Sequence, residues 1–150
     1  MDVQVKRFEQ LSTKELYDIL KLRVDVFVVE QKCPYEEVDG KDLQAWHVWL
    51  QDEDGIEAYL RVLDPGVVFP EATIGRVIAR KRGRQLGARV LAAGIRTARE
   101  RLHASAVRIE AQVYAEGFYE KAGFQAVSEP FLEDGIPHVQ MLLKLEESHE

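Results

Sequence analysis

Between Glu71 and Glu100 the chain carries eight bases and no acid: Arg76, Arg80, Lys81, Arg82, Arg84, Arg89, Arg96 and Arg99. The whole chain has formal charge -6, so this excess is local. Its densest part, Arg82-Gly83-Arg84-Gln85-Leu86-Gly87-Ala88, lies where a strand pattern (Ile74, Val77, Ile78) gives way to a helical one. The first N–H groups of a helix have no intrahelical partner, and the helix dipole adds partial positive charge there. Gly83 and Gly87 lack a Cβ, so a ligand can approach the backbone closely. Such a helix start suits a phosphate. The same residues also read as a solvated basic turn before an ordinary helix, and the turn alone leaves both readings open. A P-loop would need Gly-Lys-Ser/Thr, and a dinucleotide fingerprint Gly-x-Gly-x-x-Gly; neither is present.

The turn resembles the acetyl-CoA loop of the GCN5-related N-acetyltransferase (GNAT) superfamily, Arg/Gln-x-x-Gly-x-Gly/Ala. Further on, Ala115-Glu116-Gly117-Phe118-Tyr119-Glu120-Lys121-Ala122-Gly123-Phe124 is similar to the superfamily's second signature, Phe-Tyr-x-x-x-Gly-Phe. Three more stretches resemble the ElaA-like subfamily: Leu22-Arg23-Val24-Asp25-Val26-Phe27-Val28-Val29-Glu30-Gln31, Cys33-Pro34-Tyr35-Glu36-Glu37-Val38-Asp39-Gly40, and Glu133-Asp134-Gly135-Ile136-Pro137-His138. The pieces run in the family's order and cover nearly the whole chain.

The resemblance implies an enzyme that moves an acetyl group from acetyl-CoA to a primary amine by direct attack in a ternary complex. The amine would be a small molecule, a peptide or protein N-terminus, or a lysine. Acetyl-CoA would serve as acyl donor, and no metal would be needed. Backbone N–H groups of Arg82, Gly83, Arg84, Gln85, Leu86, Gly87 and Ala88 would cradle the pyrophosphate, with Phe118 beside the cofactor. Val77, Ile78 and Ala79 would bond the pantetheine amides as an added strand does. The N–H of Val77 or Ile78 would stabilise the tetrahedral oxyanion.

Tyr119 matches the family's usual general acid. A phenol near pKa 10 can protonate a thiolate whose conjugate acid sits about one unit lower. The other reading of Tyr119 is a core aromatic between Phe118 and Phe124. Glu30, Glu110, Gln112 and His138 are candidates for the acceptor side. Glu110 and Gln112 share one strand face, opposite Ile109 and Ala111. His138, with an unperturbed pKa near 6.5, is a catalytic candidate suited to a base or a pH-sensitive donor; a structural histidine beside Pro137 is the alternative. Acids around the acceptor would favour a cationic amine. Gln85 stands where the loop's first glycine is usual; the segment Val77 to Lys81 before Arg82 is about two residues shorter than the family pattern, and Leu43 to His47 is short as well.

The elements that would position these groups can be read in order. Val3 and Val5 open with a strand. Ser12-Thr13-Lys14-Glu15 is a capping box, starting a helix near Thr13 that runs to about Phe27. Strands follow at Trp46 to Leu50, Ile56 to Leu63 after an Asp54-Gly55 turn, and Thr73 to Ala79. The helix after Gly87 keeps Val90, Leu91, Ala98 and Leu102 on one face. Val107 to Val113 alternates as a strand, Glu116 to Lys121 is a short helix closed by Gly123, and Phe124 to Val127 and Val139 to Leu145 are closing strands. The strand-helix-strand unit from Ile74 to Val113 should set two parallel strands side by side. The fold class is therefore α+β with helices flanking the sheet (α/β/α). The resemblance implies a mixed, mainly antiparallel GNAT sheet whose central parallel pair splays into a V around the pantetheine arm. The acids Glu30, Glu36, Glu37, Asp39 and Asp42 form either a solvated loop or a substrate-facing rim.

At 150 residues, 46% of them apolar, the chain should form one domain, residues 1–150. No apolar run approaches the roughly 20 residues of a membrane span, and no secretory h-region opens the chain. Its single cysteine, Cys33, fits an inert thiol in the cytoplasm. The four histidines show no ligand spacing, so no metal is expected. The partners expected are acetyl-CoA and an amine, without nucleic acid or membrane, for a monomer or homodimer. Two rivals remain: a non-catalytic acyl-CoA-binding or regulatory module on the same fold, and a basic-helix nucleic-acid binder, which the net charge disfavours.

Overall fold

The computed structural model describes residues 1–31, 37–80 and 85–145. Cys33, Glu36, Arg82, Gly83 and Arg84 lie outside the described residues.

Strand β1 (Asp2–Arg7) pairs antiparallel with β2 (Ala45–Asp52). β2 continues into β3 (Gly55–Leu63), and β3 pairs with β4 (Thr73–Ala79), giving the order β1-β2-β3-β4. Both faces of this sheet are covered, which is why β2 and β3 read as almost unbroken apolar runs. On one face Val48, Leu50, Leu60 and Val62 meet Val90, Leu91 and Ala98 of α2 (Leu86–Glu100). Gly94 lets the helix come this close: a Cβ there would stand 2.8 and 2.9 Å from the Leu60 methyls. On the other face Trp49, Tyr59 and Ile78 pack on Ile19 and Leu22 of α1 (Thr13–Arg23).

The capping box forms as expected: the Glu15 N–H donates to Ser12 Oγ at 3.0 Å, and the Ser12 N–H to Glu15 Oε1 at 2.9 Å. Such a cap contributes about 0.5–2 kcal/mol. The α-helix ends at Arg23, short of the expected Phe27, and Val24–Glu30 continues as a π-helix. Four of its seven residues are valines, a β-branched type with slightly lowered α-helix propensity.

The second sheet has the order β5-β8-β6, from β5 (Ala106–Gln112), β8 (Ile136–Lys144) and β6 (Gln125–Ala126), with β7 (Phe131–Glu133) also on β8. The helix α3 (Glu116–Lys121) has the expected bounds. The last strand begins at Ile136 and not at Val139, because Asp134 and Gly135, with φ 52 and 77, turn a hairpin that β7 completes. The sequence reading missed β7.

The two sheets join at one parallel bridge, Ala72 to Val107, where the Arg108 N–H donates to the Ala72 carbonyl at 2.9 Å. Beyond it β4 stays with β3 and β5 with β8, so the parallel pair splays into a V. None of the described helices is long and apolar enough to cross a membrane.

Candidate functional site

The V encloses a cavity of about 420 Å³. β4 contributes Thr73, Gly75, Arg76, Val77 and Ala79, and β5 contributes Ile109, Glu110 and Gln112. Gly87, Phe118 and Tyr119 line it too, and so do Glu133, Asp134 and His138 from the β7–β8 hairpin. A second cavity of about 650 Å³ lies between the end of β4 and the π-helix, lined by Glu30, Gln31, Ile78 and Arg80 among others. Phe27, Gln31, Val77, Ala79 and Tyr114 line both, so the two spaces adjoin.

Most of the sequence-predicted residues thus converge. Val77, Ala79, Gly87, Glu110, Gln112, Phe118, Tyr119 and His138 share the first cavity; Ile78 and Glu30 line the second. Gln85, Leu86 and Ala88 lie at the start of α2 and line neither, with the Leu86 side chain buried in the core. Gln85 is the N-cap, with φ 55. That left-handed conformation explains why glycine is usual at this place in the pattern. The segment before His47 closes through a 3-10 turn, Lys41–Gln44, that runs straight into β2.

β4 is not a plain strand. Tyr59 pairs with Ile78 and Arg61 with Gly75, so Arg76 and Val77 together face Leu60 in a bulge. Arg76 has φ 56, a conformation that costs a non-glycine residue about 1–3 kcal/mol. Its guanidinium bonds the acidic loop. Nε donates to Glu37 Oε2 at 3.0 Å, and Nη2 to the Glu37 carbonyl at 3.2 Å and Asp39 Oδ2 at 3.4 Å.

Neither reading of the acidic loop survives for Glu37, Asp39 and Asp42. They are neither a solvated loop nor a rim, but counter-charges to three arginines. Arg23, with no exposed surface, donates to Glu37 Oε2 and to Asp42 Oδ1, each at 2.6 Å. Arg61 donates to both Asp39 oxygens at 3.0 and 2.7 Å and to Asp42 at 2.9 Å. Burial raises the Asp39 carboxyl, but the Arg61 hydrogen bonds and charge outweigh it and hold the carboxyl well below the usual range. Beneath them, His47 Nε2 lies 3.0 Å from the Asp42 carbonyl, which can only accept, so Nδ1 accepts from the Tyr59 hydroxyl at 2.7 Å. Burial lowers the His47 pKa and keeps the ring neutral.

Tyr119 lies edge-on to Phe118 and Phe124, with centroids 5.0 and 5.8 Å away. It is both packed among aromatics and cavity-lining. Burial, and then Tyr114, push its phenol up to about 12. His138 is buried and stacks on Phe131. Its Nδ1–H donates to the Ile136 carbonyl at 2.7 Å, which leaves the lone pair on Nε2. Loss of hydration, and then the Glu133 carboxylate, raise the Glu110 carboxyl above its ordinary value. Glu133, Asp134, Gln31 and Tyr114 were not singled out in the sequence as site residues. The Asp134-Gly135 turn signal could have placed the first two on a hairpin tip.

The family model for the acetyltransferase (GNAT) domain matches residues 23–145. A crystal structure of an acyl-CoA N-acyltransferase from Pseudomonas aeruginosa is 40% identical at TM-score 0.89, covering 95% of this chain and 99% of that one. The crystal structure of Escherichia coli ElaA is 35% identical, with the same TM-score and coverage. A UPF0039 protein of Schizosaccharomyces pombe is 41% identical over 93% of this chain and 95% of its own.

Proposed function

The chain belongs to the GNAT acetyltransferase family, whose members use acyl-CoA as a substrate, and from that premise we propose that it transfers acetyl from acetyl-CoA to a cationic primary amine, within one domain formed by residues 1–150. The observation that carries the reading is the cleft itself. It opens from the Ala72–Val107 bridge, and a phenol, a histidine and carboxylates line it together.

The donor's pyrophosphate would lie on the amides from Arg82 to Ala88, where α2 begins with unpaired N–H groups. Its pantetheine arm would run along Val77, Ile78 and Ala79, with Phe118 against it. The amine would enter among Glu110, Gln112 and the hairpin acids Glu133 and Asp134, whose charge favours an ammonium. Glu30, in the adjoining space, would extend that acidic wall. Proton loss to His138 Nε2 frees the nitrogen lone pair for attack on the thioester carbonyl. The Val77 or Ile78 amide would take the oxyanion. Collapse breaks the C–S bond, and Tyr119 donates to the departing sulfur. With its phenol near 12, Tyr119 stays protonated at neutral pH. It is a weaker acid than a thiol, whose ordinary pKa is about 8.5, so its proton moves as the C–S bond breaks and not before.

The test is thiol release from acetyl-CoA across a panel of diamines, amino-acid amines and lysine peptides, with acetyl-CoA binding measured alongside. Turnover concentrated on acceptors that carry a second positive charge is expected. Tight binding with no release on any amine would replace this reading with a non-catalytic acyl-CoA-binding module.

A further inference from the structure

We infer that Arg76 is a positioning residue for acyl transfer, holding the β4 bulge in the shape that presents the Val77 amide to the acyl carbonyl; this rests on the acyltransferase reading above. In a bulge one residue is left unpaired in the ladder, and here the bulge residue Val77 lines both cavities. A glycine would adopt the Arg76 φ of 56 freely. An arginine holds that conformation because its side chain is tied down elsewhere.

The tie reaches across the fold. Arg76 grips Glu37 through both its carboxylate and its carbonyl, and also reaches Asp39. Each acid is also held from outside β4. Arg23 at the end of α1 fixes Glu37, through Oε2 at 2.6 Å and the carbonyl at 2.9 Å. Arg61 on β3 fixes Asp39 at 2.7 and 3.0 Å. The bulge is therefore braced from the helix on one side and from its own partner strand on the other. The three guanidinium groups face three carboxylates, so the cluster carries little net field into the cleft. Its influence on the reaction is geometric, through the backbone that follows Arg76.

Two variants separate that role from the backbone conformation and from charge. Arg76→Gly permits the positive φ but removes the brace. Arg76→Lys keeps the charge without the forked donor geometry. Each is compared with wild type for kcat and KM with acetyl-CoA and the best amine of the panel. The second probe is S-acetonyl-CoA, a ketone analogue labelled with carbon-13 at its carbonyl, whose resonance reports polarisation by a nearby N–H. Thermal unfolding checks that each variant is folded.

In Arg76→Gly, kcat is expected to fall about tenfold to a hundredfold, the scale of a small misplacement at a reacting centre. KM for acetyl-CoA should stay within about twofold. The carbonyl resonance displaced on binding to wild type should lose about half or more of that displacement. Arg76→Lys should recover part of both. Should Arg76→Gly fail to fold, Arg76→Lys carries the same two readouts, and wild-type values for both would overturn the inference. A folded Arg76→Gly with wild-type kcat and full displacement would overturn it alone, as would a change confined to KM. A wild-type protein that neither releases thiol nor shifts the carbonyl would overturn the acyltransferase reading and this inference with it.

Discussion

Arg23, at the end of α1, and Arg76, in the β4 bulge, donate through Nε to the same oxygen, Glu37 Oε2, at 2.6 and 3.0 Å. Glu37 thus joins the helix that walls the second cavity to the strand that walls both. Replacing it by alanine takes a carboxylate from two largely buried guanidinium groups, leaving Arg23 with Asp42 and Arg76 with Asp39. We expect Glu37→Ala to lower stability by about 3–5 kcal/mol, the scale of removing one partner from a buried ion pair. Urea denaturation reads this directly, and a loss below about 1 kcal/mol would mean that the cluster adds little.

The acids of this cluster also set a pH dependence. Burial works against them, yet the arginines hold the Asp39 and Asp42 carboxyls below the ordinary 3.8. A depressed carboxyl stabilises the fold fully above its unfolded pKa, and that stability drains away as the pH falls through the folded value. The native state should therefore lose stability progressively below about pH 4. Asp42→Asn, which cannot ionise, should be less stable at pH 7 and should show a shallower acid limb. Equal slopes for the two proteins would contradict the pairing.

Charge reversal at Arg82 and Arg84 tests the anion site at the start of α2. These bases precede an N-cap whose helix has no acid in its first turn. Arg82→Glu with Arg84→Glu should weaken acetyl-CoA by about tenfold or more, equivalent to about 1.4 kcal/mol. Calorimetry giving unchanged affinity would remove the phosphate argument for the turn.

Tyr119→Phe keeps the ring against Phe118 and Phe124 and deletes only the hydroxyl. Turnover should fall by about 10²–10⁴, the usual range for general acid–base catalysis, with acetyl-CoA affinity nearly unchanged. Because burial, and then Tyr114, put the phenol near 12, no loss of rate from its ionisation should appear below about pH 11. Steady-state thiol release across pH checks both points. Near-normal turnover in the folded variant would leave Tyr119 as a packing residue.

Glu110 makes the opposite prediction for stability. Loss of hydration, then Glu133, raise its carboxyl above 4.5. A raised carboxyl penalises the fold once it is ionised, and the penalty disappears as the pH falls through the folded value to the unfolded one. Glu110→Gln should therefore unfold at a slightly higher temperature than wild type at pH 7.5, with the gap closing below about pH 4. The same variant should raise KM for a cationic amine without changing acetyl-CoA affinity. A variant that is less stable at neutral pH would show that the carboxylate is held by attraction and not repelled.

What the sequence determined by itself was the local chemistry. The Ser12–Glu15 cap, the bounds of α3 and the strand Thr73–Ala79 depend on residues a few positions apart, and the structure has them as read. The resemblance, carried by the order of short motifs, named the family and the V-shaped sheet. Tertiary structure decided the rest. An acid such as Glu37 looks the same in sequence whether it faces water or a guanidinium, and its partners, Arg23 and Arg76, come from an earlier helix and a later strand. The bulge at Arg76 exists only as a mismatch against Leu60 on β3, and the β7 strand only as a mate for β8. Pairing across sequence distance, and the burial that follows from it, fixed which charges build the fold and which remain at the cleft.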